Sequence, residues 1–370
     1  MIGVLTRRAL NRATLARQWL LARQPASVVD ALDHLVGLQA QTPLTWYVGL
    51  WDRLVAFDPA SVSELLVDRR VTRIAAMRST IHLLTAEDAM AIRPLVQPVL
   101  DRSLNGNFGK NLVGVDRPAL LAAARELLDA EPMVFSRLGA RLAERWPDRD
   151  PDSLAQAVRC WMPLVQVPPR GAWGRSGLAK HAPAESWLGV PPRADYPIDD
   201  LVLRYLGAFG PASVKDVQTW SGLTRLGEVL DRLRPRLVAY RGEDDREVFD
   251  LPDAPRPDPD TPASPRLLYD FDNLLLSHAD RSRVITEDYV QADHVMDGPV
   301  PRLFLLDGFT AGTWTTTISK DAATLALRPF RRLSTKDSKA LVAEAEALLD
   351  FLAPTAAERG VTLVPPVTRA

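Results

Sequence analysis

Gly210-Pro211-Ala212-Ser213 ends one helical run and opens the next: the glycine and proline form a turn, and Ser213 supplies an N-cap oxygen. The flanking sequence reads as helices over 199–209, 213–221 and 224–234, followed by β-forming runs at 237–240 and 248–251 around a charged turn. Three short helices and a strand hairpin are the order of a helix-turn-helix unit with a wing. The third helix and the residues after it carry Arg225, Arg232, Arg234 and Arg236, side chains suited to phosphates or base edges. A solvated surface has the same composition, so both readings stand.

The same order is written near the N-terminus. Residues 14–23 place Leu15, Trp19, Leu20 and Leu21 on roughly one helical face, and Pro25 closes that run. Ser27 and Asp30 have capping-box spacing ahead of the stripe Leu32, Leu35 and Val36, and Gly37 is a natural C-terminal stop. Thr42-Pro43 reads as N-cap and first residue of a further helix ending near Trp51. A helix over 60–68 and two strands within 71–84 complete the unit. A fainter copy has helices near 117–128, 135–145 and 152–161 leading into extended 164–169.

The proline- and aspartate-rich run that follows residue 252 reads as a semi-rigid linker. Beyond it, strand-like runs at 266–276, 283–285, 302–306 and 309–318 are separated by turn residues such as Asp307-Gly308 and Ala311-Gly312, with an amphipathic helix over 334–351. The expected fold is therefore α+β: three tandem winged-helix units (1–112, 113–196 and 197–252), a linker (253–265) and a small antiparallel β-barrel with a C-terminal helix (266–370).

A chain of 370 residues, 46% apolar and 25% charged, has the composition of an ordinary globular protein with several small cores. It contains no apolar run of membrane-spanning length and no apolar signal core after Met1, which points to the cytoplasm. Cys160 stands alone and the five histidines are dispersed, so neither a disulfide, a metal site nor another cofactor is expected. The formal charge of −1 requires any nucleic-acid contact to use a local basic surface. Arg7, Arg8, Arg12, Arg17 and Arg23, with no acid before Asp30, form one such run, although a solvated helix face explains any one of them equally well.

Four phrases, in order and spanning almost the whole chain, resemble one family: Gly37-Leu38-Gln39-Ala40-Gln41; Met77-Arg78-Ser79-Thr80-Ile81-His82-Leu83; Val165-Gln166-Val167-Pro168-Pro169-Arg170-Gly171-Ala172-Trp173-Gly174; and Phe271-Asp272-Asn273-Leu274-Leu275-Leu276-Ser277-His278-Ala279-Asp280-Arg281. They resemble the winged-helix DNA glycosylases of the AlkZ and AlkX type. The resemblance implies three winged-helix units and a barrel in a C shape around duplex DNA. It implies monofunctional excision of N7-alkylguanine and related cationic adducts, with bulky natural-product adducts and interstrand crosslinks as further substrates. It also implies a glutamine–apolar–glutamine catalytic motif at Gln39-Ala40-Gln41, the form of the self-resistance branch; the AlkX branch carries Asp at the second position. Ser79 departs from the Gly of many relatives.

The local sequence is compatible with that role, because Gly37 and Pro43 confine the two glutamines to a short connection whose side chains share a face if it is extended. A cationic N7-alkylguanine needs little protonation to leave, so neutral amides that position water and stabilise the sugar are sufficient. Gln41 is assigned to water and Gln39 to sugar or phosphate, with exchange of the two roles open. Arg78 and His82, four apart on one strand face, are candidate cleft-lining DNA contacts; a phosphate contact for Arg78 and a core hydrogen bond for His82 are equally compatible. Asn273, Ser277, His278 and Arg281 are candidate DNA contacts from the barrel, with Asp280-Arg281 also readable as turn chemistry. Trp161, Trp173 and Trp314 fit either base stacking or packing. The alternatives are a winged-helix transcription factor, which reads base edges and ignores damage, and a protein that sequesters a free drug. No long heptad pattern is present, and a monomer acting on duplex DNA is expected.

Overall fold

A computed structural model describes residues 3–291 and 300–366. The architecture is mixed α+β, with three sheets set among short helices.

The sheet nearest the glutamine motif has five strands in the order Leu38–Gln39, Ile81–Thr85, Val71–Ala75, Leu164–Gln166 and His181–Pro183, all antiparallel. Arg73 faces Gln166 and Ile74 faces Val165 in register, so the first hairpin and the strands after helix Pro151–Trp161 form one continuous ladder. A second sheet pairs Val238–Gly242 with Glu247–Asp250, and Val4–Leu5 adds to its edge in parallel. Ahead of that hairpin stand helices Ile198–Phe209, Val214–Ser221 and Leu226–Leu233, within a residue or two of their expected bounds. Ser213 and Asp216 close the full reciprocal capping box.

The C-terminal sheet fits the expected small barrel as a curled half-barrel, neither closed nor wholly antiparallel. It is an open, curled five-stranded sheet in the order Glu358–Leu363, Ala322–Pro329, Phe309–Ile318, Arg302–Leu306 and Arg266–Leu267. Its last strand runs parallel to its neighbour, because helix Thr335–Leu352 carries the chain back along one face before Glu358. Ala311-Gly312 lies inside a strand rather than at a turn. The expected strand at 283–285 falls instead at a turn over residues 282–284, where the buried Arg283 guanidinium donates to the Pro211 carbonyl (2.8 Å) and to the Thr14 hydroxyl (3.2 Å).

The first helix is Arg7–Arg17, starting well before residue 14 because Thr6 caps it by accepting from the Ala9 N–H. Apolar periodicity misses it, since its buried face includes Asn11, Arg12 and Arg17. These arginines do not form a DNA surface. Arg17 makes a double hydrogen bond to Asp250 (2.6 and 2.8 Å) with both side chains fully buried, and Arg12 is buried against Asp307. Arg8, Arg12 and Arg17 also donate to the carbonyls of Pro259, Thr261 and Pro255, which docks the proline-rich segment along the helix. Breaking a buried ion pair from one side typically costs about 3–5 kcal/mol, so Arg17, paired with Asp250, is held structurally.

Candidate active site

Gly37 fixes where the glutamine strand begins. At φ +82° it takes a backbone conformation costly for other residues, and a Cβ there would lie 2.3 Å from Leu84 Cδ2 and 2.7 Å from the Leu83 carbonyl oxygen. The chain then pairs Leu38 with Leu83 and Gln39 with His82, and Ala40 N–H donates to the Ile81 carbonyl at 2.7 Å. Helix Trp46–Trp51 starts later than Thr42-Pro43 suggests, because the Thr42 hydroxyl is committed to Asp270 (2.6 Å) instead of capping.

Each glutamine amide is oriented by a group that can only donate. Arg78 Nη2 donates to Gln39 Oε1 at 2.7 Å, and the Ile81 N–H donates to Gln41 Oε1 at 3.2 Å. A guanidinium and a backbone N–H have no acceptor to offer, so the carbonyl oxygens face them and the NH2 groups face away. Neither Nε2 has a hydrogen-bond partner among the described residues. Gln39 is 4% exposed and Gln41 is exposed. One member of the pair is thus set into the wall and the other stands out of it.

The main chain around the pair is pinned from several sides. The Tyr269 hydroxyl donates to the Gln39 carbonyl (3.0 Å), Arg73 Nη2 to the Ala40 carbonyl (2.8 Å), and Asn273 Nδ2 to the Gly37 carbonyl (2.8 Å). Asn273 Oδ1 accepts from the Gln39 N–H at 3.5 Å. Arg53 and Asp272 form a fully buried double hydrogen bond (2.7 and 2.9 Å) next to Asn273, fixing the segment that carries these groups. Sequence reasoning does not single out Arg73, Tyr269 or Asp270. Tyr269 and Asp270 immediately precede the fourth family phrase, while buried Arg73 lies on a strand with no motif to mark it.

Arg78 and Ser79 take left-handed φ values of +55° and +59° at the hairpin tip, which accounts for the glycine that many relatives place at the second position. Arg78 also donates to the Trp220 carbonyl, so one guanidinium joins the hairpin, Gln39 and the helix Val214–Ser221. Burial lowers its pKa to about 10, which leaves it charged at neutral pH. His82 is buried, with Nδ1 against the Thr80 carbonyl at 3.1 Å. Burial, then the Arg78 charge, pushes its pKa down to about 3, so the imidazole is neutral. It matches the core hydrogen-bonding reading of this histidine.

The expected barrel contacts divide. Asn273, Ser277 and His278 are buried. Ser277 Oγ donates to the Asn273 carbonyl (2.6 Å), and His278 Nε2 donates to the Phe209 carbonyl (3.0 Å). Burial of these three side chains weighs against the expected DNA contacts, with His278 Nδ1 buried and left without a hydrogen-bond partner among the described residues; Arg281 alone of the four is exposed. Among the arginines of the third helical trio, Arg232 pairs with Asp199 and Arg234 with Glu247 and Asp231, while Arg225 and Arg236 make no ion pair among the described residues. Trp314 is 1% exposed and donates to the Leu268 carbonyl, a packing role.

A solved structure of Streptomyces sahachiroi DNA glycosylase AlkZ superposes with a TM-score of 0.74 at 21% identity, covering 97% of this chain and 99% of that one, so the chain has the fold of a DNA glycosylase. The profile described as DNA glycosylase AlkZ-like matches residues 32–351, and the chain belongs to the AlkZ-like DNA glycosylase family. A curated relative, the interstrand DNA cross-link repair glycosylase of the same organism, is 25% identical over 331 residues, 81% of this chain and 85% of the relative. A shorter likeness, 29% over 180 residues, is to a component of the NADH-quinone oxidoreductase of Mycobacterium sp. (strain KMS), with 44% of this chain and 72% of that protein covered. Being confined to less than half of the chain, it carries no family. The family assignment identifies an enzyme acting on DNA and does not favour a transcription factor. Among the described residues no helix is long and apolar enough to cross a membrane.

Proposed function

We propose that this chain hydrolyses the N-glycosidic bond of N7-alkylguanine and related cationic adducts in duplex DNA, through Gln39 and Gln41. The observation that carries the reading is the orientation of the two amides. Two neutral side chains, adjacent on an anchored strand and loop, have their carbonyls held by obligate donors and their NH2 groups unspent.

The C1′–N9 bond breaks with its electron pair moving to the base, which cancels the N7 cationic charge and lets the base leave neutral. Water adds to C1′ and loses its proton to solvent, since His82 with a pKa near 3 is too weak a base to retain it. Gln41, exposed and with one carbonyl lone pair left over, orients the water. Gln39 Nε2 donates to sugar or phosphate, and the Arg78 charge on its carbonyl strengthens that donor by polarising the amide. The relative named for interstrand cross-link repair supports extending the substrates to bulky adducts and crosslinks.

In this reading the three helix-and-hairpin segments are winged-helix units with approximate limits 1–112, 113–196 and 197–252, set with the C-terminal sheet in a C shape around DNA. Exposed Arg225, Arg236 and Arg281 supply phosphate contacts, and the protein acts as a monomer in the cytoplasm. Single-turnover release of N7-methylguanine from alkylated duplex DNA tests the proposal. Gln39→Ala and Gln41→Ala each lower the rate by about 10²-fold or more. Full excision by either variant refutes that residue's assignment, and no release by the wild type refutes the substrate.

A further inference from the structure

A cavity of about 340 Å3 opens beside the glutamine loop, walled by Leu44, Val48, Trp173, Ile318 and Leu352. Its volume is in the range of small-molecule sites, and its walls are chiefly apolar. Strand Phe309–Ile318 explains why it is open. Gly312, Trp314, Thr316 and Ile318 share one face; Trp314 is sealed in the core, but the strand runs on past it and leaves Ile318 on the same face 49% exposed. The Trp173 ring is braced by Tyr47 at 4.8 Å and Phe351 at 5.2 Å, which gives the cavity a rigid aromatic wall.

The cavity is tied to the glutamines through one carboxylate. Asp270 accepts from the hydroxyls of Thr42 (2.6 Å) and Thr45 (2.5 Å); Thr42 follows Gln41, and Thr45 lines the cavity. Leu44 lies three residues after Gln41, so their Cα atoms are at most about 11 Å apart. At the rim, the Arg302 guanidinium sits 5.0 Å from the Trp314 ring centroid and donates to Thr316 Oγ1 at 3.4 Å, with no carboxylate partner among the described residues. A cation without a carboxylate partner among the described residues, next to an apolar slot, complements a ligand that joins an apolar group to a polyanion.

We propose that this cavity receives the apolar arm of a bulky substituent on the damaged base, while Arg302 faces a phosphate of the same strand. This rests on the reading of the glutamines given above and adds the class of adduct for which the site is shaped: one whose arm, of hydrocarbon character, extends from the damaged base past Gln41 to the slot lined by Leu44. A methyl adduct leaves the cavity empty, whereas an arm-bearing adduct gains its burial.

Two duplexes test this, one with N7-methylguanine and one with N7-(4-phenylbutyl)guanine, against wild type, Ile318→Glu and Ile318→Trp; the first variant charges the slot and the second fills it. The ratio of arm-bearing to methyl excision rates is expected to fall about tenfold in both variants, the scale of lost apolar contact in a specificity pocket. Binding of free 4-phenylbutanol, measured by calorimetry, is expected for the wild type and lost in Ile318→Glu. Methyl release with an unchanged ratio, or no binding of the free alcohol by the wild type, overturns the cavity proposal. Release of neither base together with binding of the alcohol supports the cavity and instead refutes the N7-alkylguanine substrate proposed for the glutamine site.

Discussion

Arg78 Nη2 lies 2.7 Å from Gln39 Oε1, and the other terminal nitrogen of the same guanidinium reaches the Trp220 carbonyl. A charge-assisted hydrogen bond inside a wall of low dielectric fixes the amide more firmly than a neutral donor would. It also makes the setting of Gln39 depend on the position of helix Val214–Ser221, more than a hundred residues away in sequence.

Arg78→Met is expected to lower single-turnover excision by about 10–100-fold, with the loss in kcat rather than KM, because Gln39 then rotates freely. Arg78→Lys, which keeps the charge but not the two-armed geometry, recovers only part of the rate. A loss confined to KM would show that Arg78 serves to hold DNA rather than to orient the amide.

The rate should be nearly independent of pH across neutrality. Gln39 and Gln41 do not titrate, His82 is neutral above about pH 3, and Arg78 stays charged below about pH 10. Single-turnover excision measured from about pH 5.5 to 9 should therefore be flat, without the bell shape of a general acid–base pair. A limb with a midpoint near 6–7 would mean that an ionising side chain takes part.

Asn273 separates a positioning role from a DNA-contact role. Its amide spans the Gly37 carbonyl and the Gln39 N–H, so Asn273→Ala leaves buried backbone groups unpaired at a cost of about 1–3 kcal/mol and loosens the strand. Excision should fall about tenfold while the salt dependence of DNA affinity stays as in the wild type. A slope reduced by about one unit would reveal a lost phosphate contact.

What is legible in the sequence depends on local chemistry. The Ser27–Asp30 box, the Ser213 N-cap, the Gly37 stop and the trio before residue 238 are readable because caps and turns are written within three or four residues. The glutamine pair stands out only through family resemblance; nothing in its composition distinguishes it from a solvated turn. The first helix and the residues holding the loop escape for one shared reason. Arg12, Arg17, Arg53 and Arg73 are all buried, and a hydrophobicity pattern assigns arginine to the surface. Their partners, Asp307, Asp250 and Asp272, and the Ala40 carbonyl, lie from about thirty to about three hundred residues away. The parallel C-terminal strand is hidden similarly, since its pairing spans the whole length of helix Thr335–Leu352.

Asp52 shows what such burial costs when no partner arrives. It follows helix Trp46–Trp51, whose C-terminal carbonyls already disfavour negative charge, and neither carboxyl oxygen has a hydrogen-bond partner among the described residues. Arg23 comes only to 4.0 Å because it is bound to Glu344 at 2.7 Å. Burial above all, opposed by Arg266 and reinforced by Glu344, raises the Asp52 pKa from 3.8 to about 8. Between those two values the unfolded chain has released a proton that the folded chain keeps, so this group's stabilising contribution is full below about pH 4 and is lost as pH rises toward 8. Asp52→Asn removes the titration while keeping the shape. Its stability relative to the wild type should therefore improve by about 1–3 kcal/mol between pH 4 and pH 8, read from denaturant melts at the two values. A difference of the same size at both pH values would mean that Asp52 is already ionised in the folded protein, with its charge held by Arg23 after all.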